Sequence, residues 1–178
     1  MPAASKLQIS TPSEREIFFT RVFDAPREVV WEAMNKPELV KRWLHGPPGW
    51  TMVECENDLR VGGRFRWVWR GSSPPCDAPS GAAPPQEMVE MTITGVNMEL
   101  KRPERLVHTE KFEFGGQVQE GEQVCTLVLT EQNGRTTMSL TVVYQSKEAR
   151  DQAVASGMER GMEASYVQLD ELLPTLPA

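Results

Sequence analysis

The stretch SKEARDQAVASGMERGMEASYVQLDELL, residues 146–173, decides the fold. Its spacing predicts one long amphipathic helix. Val154, Met158, Gly161, Met162, Ser165, Leu169 and Leu172 recur every three or four residues and share one face. Glu159, Arg160, Glu163 and Asp170 fall on the back. Ser146 is a good N-cap, and Glu148 and Asp151 place negative charge in the first turns, where the helix dipole favours it. Pro174 stops the helix. At ~1.5 Å per residue it would run roughly 40 Å, enough to cross a small domain. The inward face mixes methionine with Gly157, Gly161 and Ala164. Glycine inside a helix costs about 1 kcal/mol relative to alanine, so close packing or empty space is expected beneath it.

Working outward, Gln123–Gln132 and Arg135–Tyr144 flank Asn133-Gly134, a strong short hairpin signal. Cys125, Leu127 and Leu129 share one face of the first arm; Met138, Leu140, Val142 and Tyr144 share one face of the second. Further upstream, residues 105–114, 87–100, 64–70 and 51–58 alternate as strands, with Phe65, Trp67 and Trp69 on one face and Arg64, Arg66 and Arg70 on the other. Residues 71–86 form a Pro/Ser/Gly/Ala loop, and Gly115–Gly121 a flexible turn. Residues 14–24 make a first strand with Ile17, Phe19, Arg21 and Phe23 on one face, followed by two short helices opened by Pro26 and Pro37. The order is strand, two short helices, six strands, long helix. Strands joined by turns form an antiparallel meander, and the long helix is the cover available for its apolar face. That is an α+β layer architecture. Residues 1–13 are expected as a flexible tail, 14–174 as one domain, and 175–178 as a second tail.

Composition narrows the function classes. Net charge is −6, which argues against a general nucleic-acid binder. The arginines of residues 64–70 alternate away from the aromatics, which points to a solvated outer face. No apolar run approaches ~20 residues, so no membrane span is expected. The N-terminal MPAASKLQIS lacks a signal core, so a cytoplasmic location is expected. Cys55, Cys76 and Cys125 are odd in number without CxxC spacing, so neither a disulfide framework nor a metal site is expected. There is no P-loop, GxGxxG, HExxH or GxSxG, and no cofactor is expected.

The strings FFTRVFDAPREVVWEAMNKPELVKRWLHGPPGWT, DLRVGGRFRWVWR, RPERLVHTEKF and ERGMEASYVQLDEL carry a family resemblance. The chain resembles the activator of 90-kilodalton heat-shock-protein ATPase homologue family, within the START-like (SRPBCC) helix-grip superfamily, from about Arg15 to Leu173. The resemblance implies a helix-grip fold: a curved antiparallel sheet of six or seven strands, two short helices after strand one, wrapped on the long C-terminal helix. It also implies a hydrophobic cavity between sheet and helix, and a chaperone as a candidate partner. Members tend to continue apolar or aromatic after the PERLV string, where this chain has His108 and Glu110. They often carry Trp in the last helix where this chain has Met162.

The inward residues line either a packed core or a ligand cavity. From the strands these are Phe65, Trp67, Trp69, Met91, Ile93, Phe112, Met138 and Leu140; from the helices, Trp43, Met158, Met162 and Tyr166. Methionine suits an adaptable lining. Alternation puts His108 and Glu110 on the face of Leu106 and Phe112, so both are expected to approach the cavity, unless that end of the sheet is open to water. There they would orient a polar ligand or act as weak candidates for catalytic acid and base. Three functions follow: binding of a small hydrophobic or amphipathic molecule, a co-chaperone-like interaction module, or a cyclase-like enzyme on the same fold.

Overall fold

The computed structural model describes residues 5–46, 48–72 and 88–177. In chain order these form β1 (Gln8–Ser10), β2 (Glu16–Phe23), α1 (Arg27–Asn35), α2 (Pro37–Trp43), β3 (Trp50–Asn57), β4 (Arg64–Gly71), β5 (Val89–Lys101), β6 (Arg105–Phe114), β7 (Gln117–Val118), β8 (Gln123–Gln132), β9 (Arg135–Val143), α3 (Lys147–Ala155) and α4 (Met158–Leu172). From residue 73 onward the expected 71–86 loop lies outside the described residues.

One open antiparallel sheet runs β1-β2-β9-β8-β6-β5-β4-β3, with β7 paired to β6. The layout is the helix-grip architecture, with nine strands rather than six or seven. The additional strands are two short pieces. Gln8–Ser10, in the stretch expected as a loose tail, pairs with Phe18–Thr20 of β2. Gln117–Val118, in the expected turn, pairs with Glu113 and Phe114. Neither is long enough to show alternation. Bulges between Met52 and Glu54 and between Asn97 and Glu99 turn Val53 and Met98 outward to solvent. An extra residue of this kind bends its strand and increases its twist, which curves the sheet. The β8–β9 hairpin closes as the Asn-Gly pair demands, with Asn133 at φ 54° and Gly134 at φ 72°.

The C-terminal helix is not continuous. α3 is capped by Ser146, whose Oγ accepts from the Ala149 N–H at 3.1 Å. It ends at Ala155, and α4 restarts at Met158 after Gly157, which sits in the left-handed region at φ 70°. A side chain at that φ clashes with the following carbonyl, so the glycine permits the break. Apolar spacing continues unbroken across the site, which is why periodicity alone reads one helix. Val154, expected inward, is 42% exposed as a consequence.

The buried face of α4 carries Ser165, Tyr166, Leu169 and Leu172. Tyr166, Leu169 and Leu172 pack with Phe23, Val30, Trp31, Trp43, Leu129 and Met138 in the main core. Glu163 and Asp170, expected on the outer back, instead flank the buried stripe and reach Arg21 of β2. The Arg21 side chain is wholly buried. It donates to Asp170 Oδ2 at 2.8 Å and to the Tyr166 carbonyl at 3.2 Å, and its Nε lies 3.6 Å from Glu163 Oε2. Its guanidinium also packs 5.0 Å from the Phe23 ring centre and 5.7 Å from that of Tyr166. Arg21→Ala is expected to lower unfolding free energy by about 3 kcal/mol, the low end for breaking a buried ion pair, because both carboxylates keep some solvent contact. Urea unfolding of the variant measures this.

Candidate functional site

The strands β5, β6 and β8 set the candidate site by register. β6 faces β8 with His108 opposite Cys125 and Glu110 opposite Gln123. β5 faces β6 with Asn97 opposite His108 and Ile93 opposite Phe112. Side chains two apart on a strand share a face, so His108 and Glu110 meet. His108 is only 7% exposed. Its Nε2 lies 2.9 Å from Glu110 Oε1. Gln123 Nε2 donates to Glu110 Oε2 at 2.9 Å, and the Cys125 sulfur lies within 4.8 Å of a Glu110 carboxylate oxygen. Phe65 meets the imidazole edge-on, with ring centres 5.1 Å apart. His108 Nδ1 is buried and has no hydrogen-bond partner among the described residues. With Nε2–H donating to Glu110, Nδ1 is a vacant acceptor.

Charge at the site follows from burial and bonding together. Burial opposes ionisation of Glu110, but the hydrogen bond from His108, the charge of that ring when it is protonated, and the bond from Gln123 outweigh it and hold the carboxyl below its ordinary range. Burial first, then the neighbouring Glu110, push the Cys125 thiol well up. Burial, with Cys125 and Glu110 nearby, likewise pushes the Tyr144 phenol up. The site is therefore one buried carboxylate surrounded by neutral or donating groups.

The expected lining residues divide into two sets. Trp43, Met138 and Tyr166 lie in the closed main core, with Trp43 stacked on Tyr166 at 5.8 Å and its indole N–H held by the Ala33 carbonyl at 2.9 Å. Trp69 is closed off under α2, its N–H donated to the Leu44 carbonyl at 2.9 Å. These four act as packing. By contrast Trp67, Met91, Ile93, Phe112, Leu140, Met158 and Met162 are only half-buried. Phe65 is buried between the two groups and beside His108. The N-terminal half of α4 brings Met158 and Met162 over Cys125 and Tyr144, with the Tyr144 hydroxyl 3.9 Å from Met158 Sδ. Gln123 and Cys125 were not singled out as site residues from the sequence. Alternation places them on one face of β8, but only register brings that face to Glu110.

Residues 24–174 match the family described as activator of Hsp90 ATPase homolog 1-like protein. The chain belongs to this family. A protein from Rhodobacter sphaeroides is 32% identical to it, with a TM-score of 0.77 over 97% of this chain and 100% of the other. An Arthrobacter aurescens protein (24% identity, TM-score 0.72, 96% of this chain and 92% of the other) and a Mycobacterium smegmatis protein (20%, 0.73, 96% and 100%) share the fold. No curated protein sequence matches significantly. Membership in the activator-homologue family, with this fold, supports a ligand-binding or ATPase-activator-like module. No described helix is long and apolar enough to cross a membrane.

Two outcomes are expected for this activator homologue. Gly95 leaves the space that Phe65 occupies: an added Cβ would lie 1.7 Å from the Thr109 carbonyl oxygen and 2.6 Å from the Phe65 ring. Gly95→Ala should therefore cost about 3 kcal/mol, the upper range for overpacking, and alter the near-UV dichroism of the aromatic face. The depressed Glu110 carboxyl contributes stability that is present above its ordinary value of 4.5 and lost as pH falls below it. Urea midpoints of the wild type should fall more steeply than those of Glu110→Gln as the pH is lowered through this range. Parallel curves would show that Glu110 has no shifted titration.

Proposed function

We propose that the chain binds a small amphipathic molecule between the inner sheet face and the N-terminal half of α4. The polar end meets His108, and the apolar body lies on Ile93, Phe112, Leu140 and Met162. One observation carries this reading: a nine-tenths-buried histidine, held on one side by Glu110 and vacant at Nδ1, stands beside inward apolar groups that are themselves only half-covered. Ligand sites combine a mostly apolar lining with a few placed polar groups. A buried acceptor without a partner costs about 1–3 kcal/mol, which a ligand donor bound there would recover. The ionised Glu110 disfavours a ligand whose polar end is anionic.

A second reading rests on the family match: an interaction module that engages a heat-shock ATPase. It places the working surface on the outside of the domain and leaves the His108 environment without a role. An enzymatic reading would use the same Glu110–His108 pair as base toward a ligand hydroxyl.

The neutral dye Nile red separates the first reading from the second. The wild type should enhance its fluorescence saturably. Met162→Trp, which places a larger side chain in the proposed site, should weaken that binding at least tenfold while leaving the urea midpoint close to wild type. Equal binding by wild type and variant would place the dye elsewhere and overturn the assignment. Native mass spectrometry of freshly purified protein, compared with its denatured mass, would identify a molecule carried from the cell.

A further inference from the structure

We propose that His108, Glu110 and Cys125 form a binding site for a divalent transition-metal ion, with zinc as the ion their donors suit best. A ring nitrogen of His108, a carboxylate oxygen of Glu110 and the Cys125 sulfur all lie within 4.8 Å of one another. The sequence carries no signature of this, because the ligands come from two strands and not from a CxxC or HxxxH spacing. The β6–β8 register brings them together, with His108 directly opposite Cys125 and Glu110 two residues along. Ligands mounted on paired strands are held more rigidly than ligands on loops.

The donor set is one imidazole nitrogen, one carboxylate oxygen and one thiolate. Calcium and magnesium take oxygen ligands and fit it poorly. A soft thiolate with imidazole favours zinc or its spectroscopic analogue cobalt. Zinc–ligand bonds of about 2.0–2.3 Å require donors roughly 3.3–3.8 Å apart in a tetrahedron. His108 Nε2 and Glu110 Oε1 stand 2.9 Å apart as a hydrogen-bonded pair, so they must open by less than about 1 Å to admit the ion, a change within reach of side-chain rotation.

The electrostatics favour a dication. The carboxylate of Glu110 is one negative charge inside the domain, and ionised Cys125 would be a second; a dipositive ion neutralises both. On binding, the Cys125 thiol releases one proton to solvent and its sulfur lone pair forms the metal bond. His108 ligates as the neutral ring, its proton on the nitrogen that does not bind. Glu110 gives up its bond from His108 but keeps the one from Gln123, which fixes the orientation of the ligating carboxylate. Three protein ligands leave one tetrahedral position for water or a ligand atom. The site shares His108 and Glu110 with the proposed small-molecule site, but the ion's donor set and its test do not rest on that reading.

The test uses cobalt(II) and the full chain. The Cys55→Ser/Cys76→Ser variant leaves Cys125 as its sole thiol. Titrated anaerobically, it should show a thiolate-to-cobalt charge-transfer band and the visible bands of a tetrahedral ion. These should saturate at one equivalent, with one proton released per ion, and zinc should abolish them. The unmodified chain, titrated in parallel, should give the same bands and a higher Tm with zinc than with EDTA. This arm keeps the test valid should the double variant unfold. Glu110→Gln should weaken cobalt binding at least tenfold, and Cys125→Ser should remove the charge-transfer band. Absence of that band in the unmodified chain, or its persistence in Cys125→Ser, overturns the proposal. Failure of Nile red to bind would leave the cobalt result unchanged.

Discussion

The buried guanidinium of Arg21 ties the two layers together. Helix α4 has an apolar stripe that by itself would let it slide or rotate on the sheet, since hydrophobic burial is non-directional. Arg21 removes that freedom. It binds a main-chain carbonyl at Tyr166, a carboxylate one turn further on at Asp170, and approaches Glu163 a turn before. Three points along one helix, read by a planar fork, set both its rotation and its axial position. Glu163 extends the arrangement to the N-terminus by accepting the Leu7 N–H at 2.9 Å. The cost of burying the charge is offset by these partners and by the Phe23 and Tyr166 rings around it.

From that anchor the two ends of α4 have different environments. Its C-terminal half is sealed by α1, α2 and the strands beneath, with Leu169 fully buried. Its N-terminal half, released from α3 by the turn at Gly157, holds Met158 and Met162 half-covered over Cys125 and Tyr144. The same stretch of sheet carries the Glu110 carboxylate with His108 and Gln123 bonded to it. Polar atoms and half-buried apolar groups thus coincide here. Buried polar networks are costly unless every member is satisfied, and the unpartnered His108 Nδ1 marks this network as one member short.

Backbone pairing, more than side-chain packing, shapes this region. Gly95 lets β5 approach β6 closely and leaves room for Phe65 against the imidazole. The bulge between Asn97 and Glu99 then changes the pairing just beyond His108. Asn97, almost fully buried, donates to the Asp58 carbonyl at 2.9 Å and joins this part of β5 to the β3–β4 connection. The position of His108 is consequently set from both neighbouring strands.

Local signals sufficed for what local physics decides. The Asn133-Gly134 turn, the Ser146 cap, the proline-opened short helices and the alternation of Phe65, Trp67 and Trp69 all follow from φ preferences, capping and two-residue periodicity, and each was legible from the amino acids alone. So was the placing of His108 and Glu110 on the face of Leu106 and Phe112. The rest depended on partners distant in the chain. Periodicity cannot see a left-handed glycine that interrupts a helix without changing its apolar spacing, and strands of two or three residues such as Gln117–Val118 are too short to alternate. Glu163 and Asp170 read as solvent-facing until an arginine from β2 was placed beside them. Gln123 and Cys125 became neighbours of Glu110 only through register, because residues on separate strands are brought to one point by the pairing of the whole sheet and carry no mark of it in their own spacing.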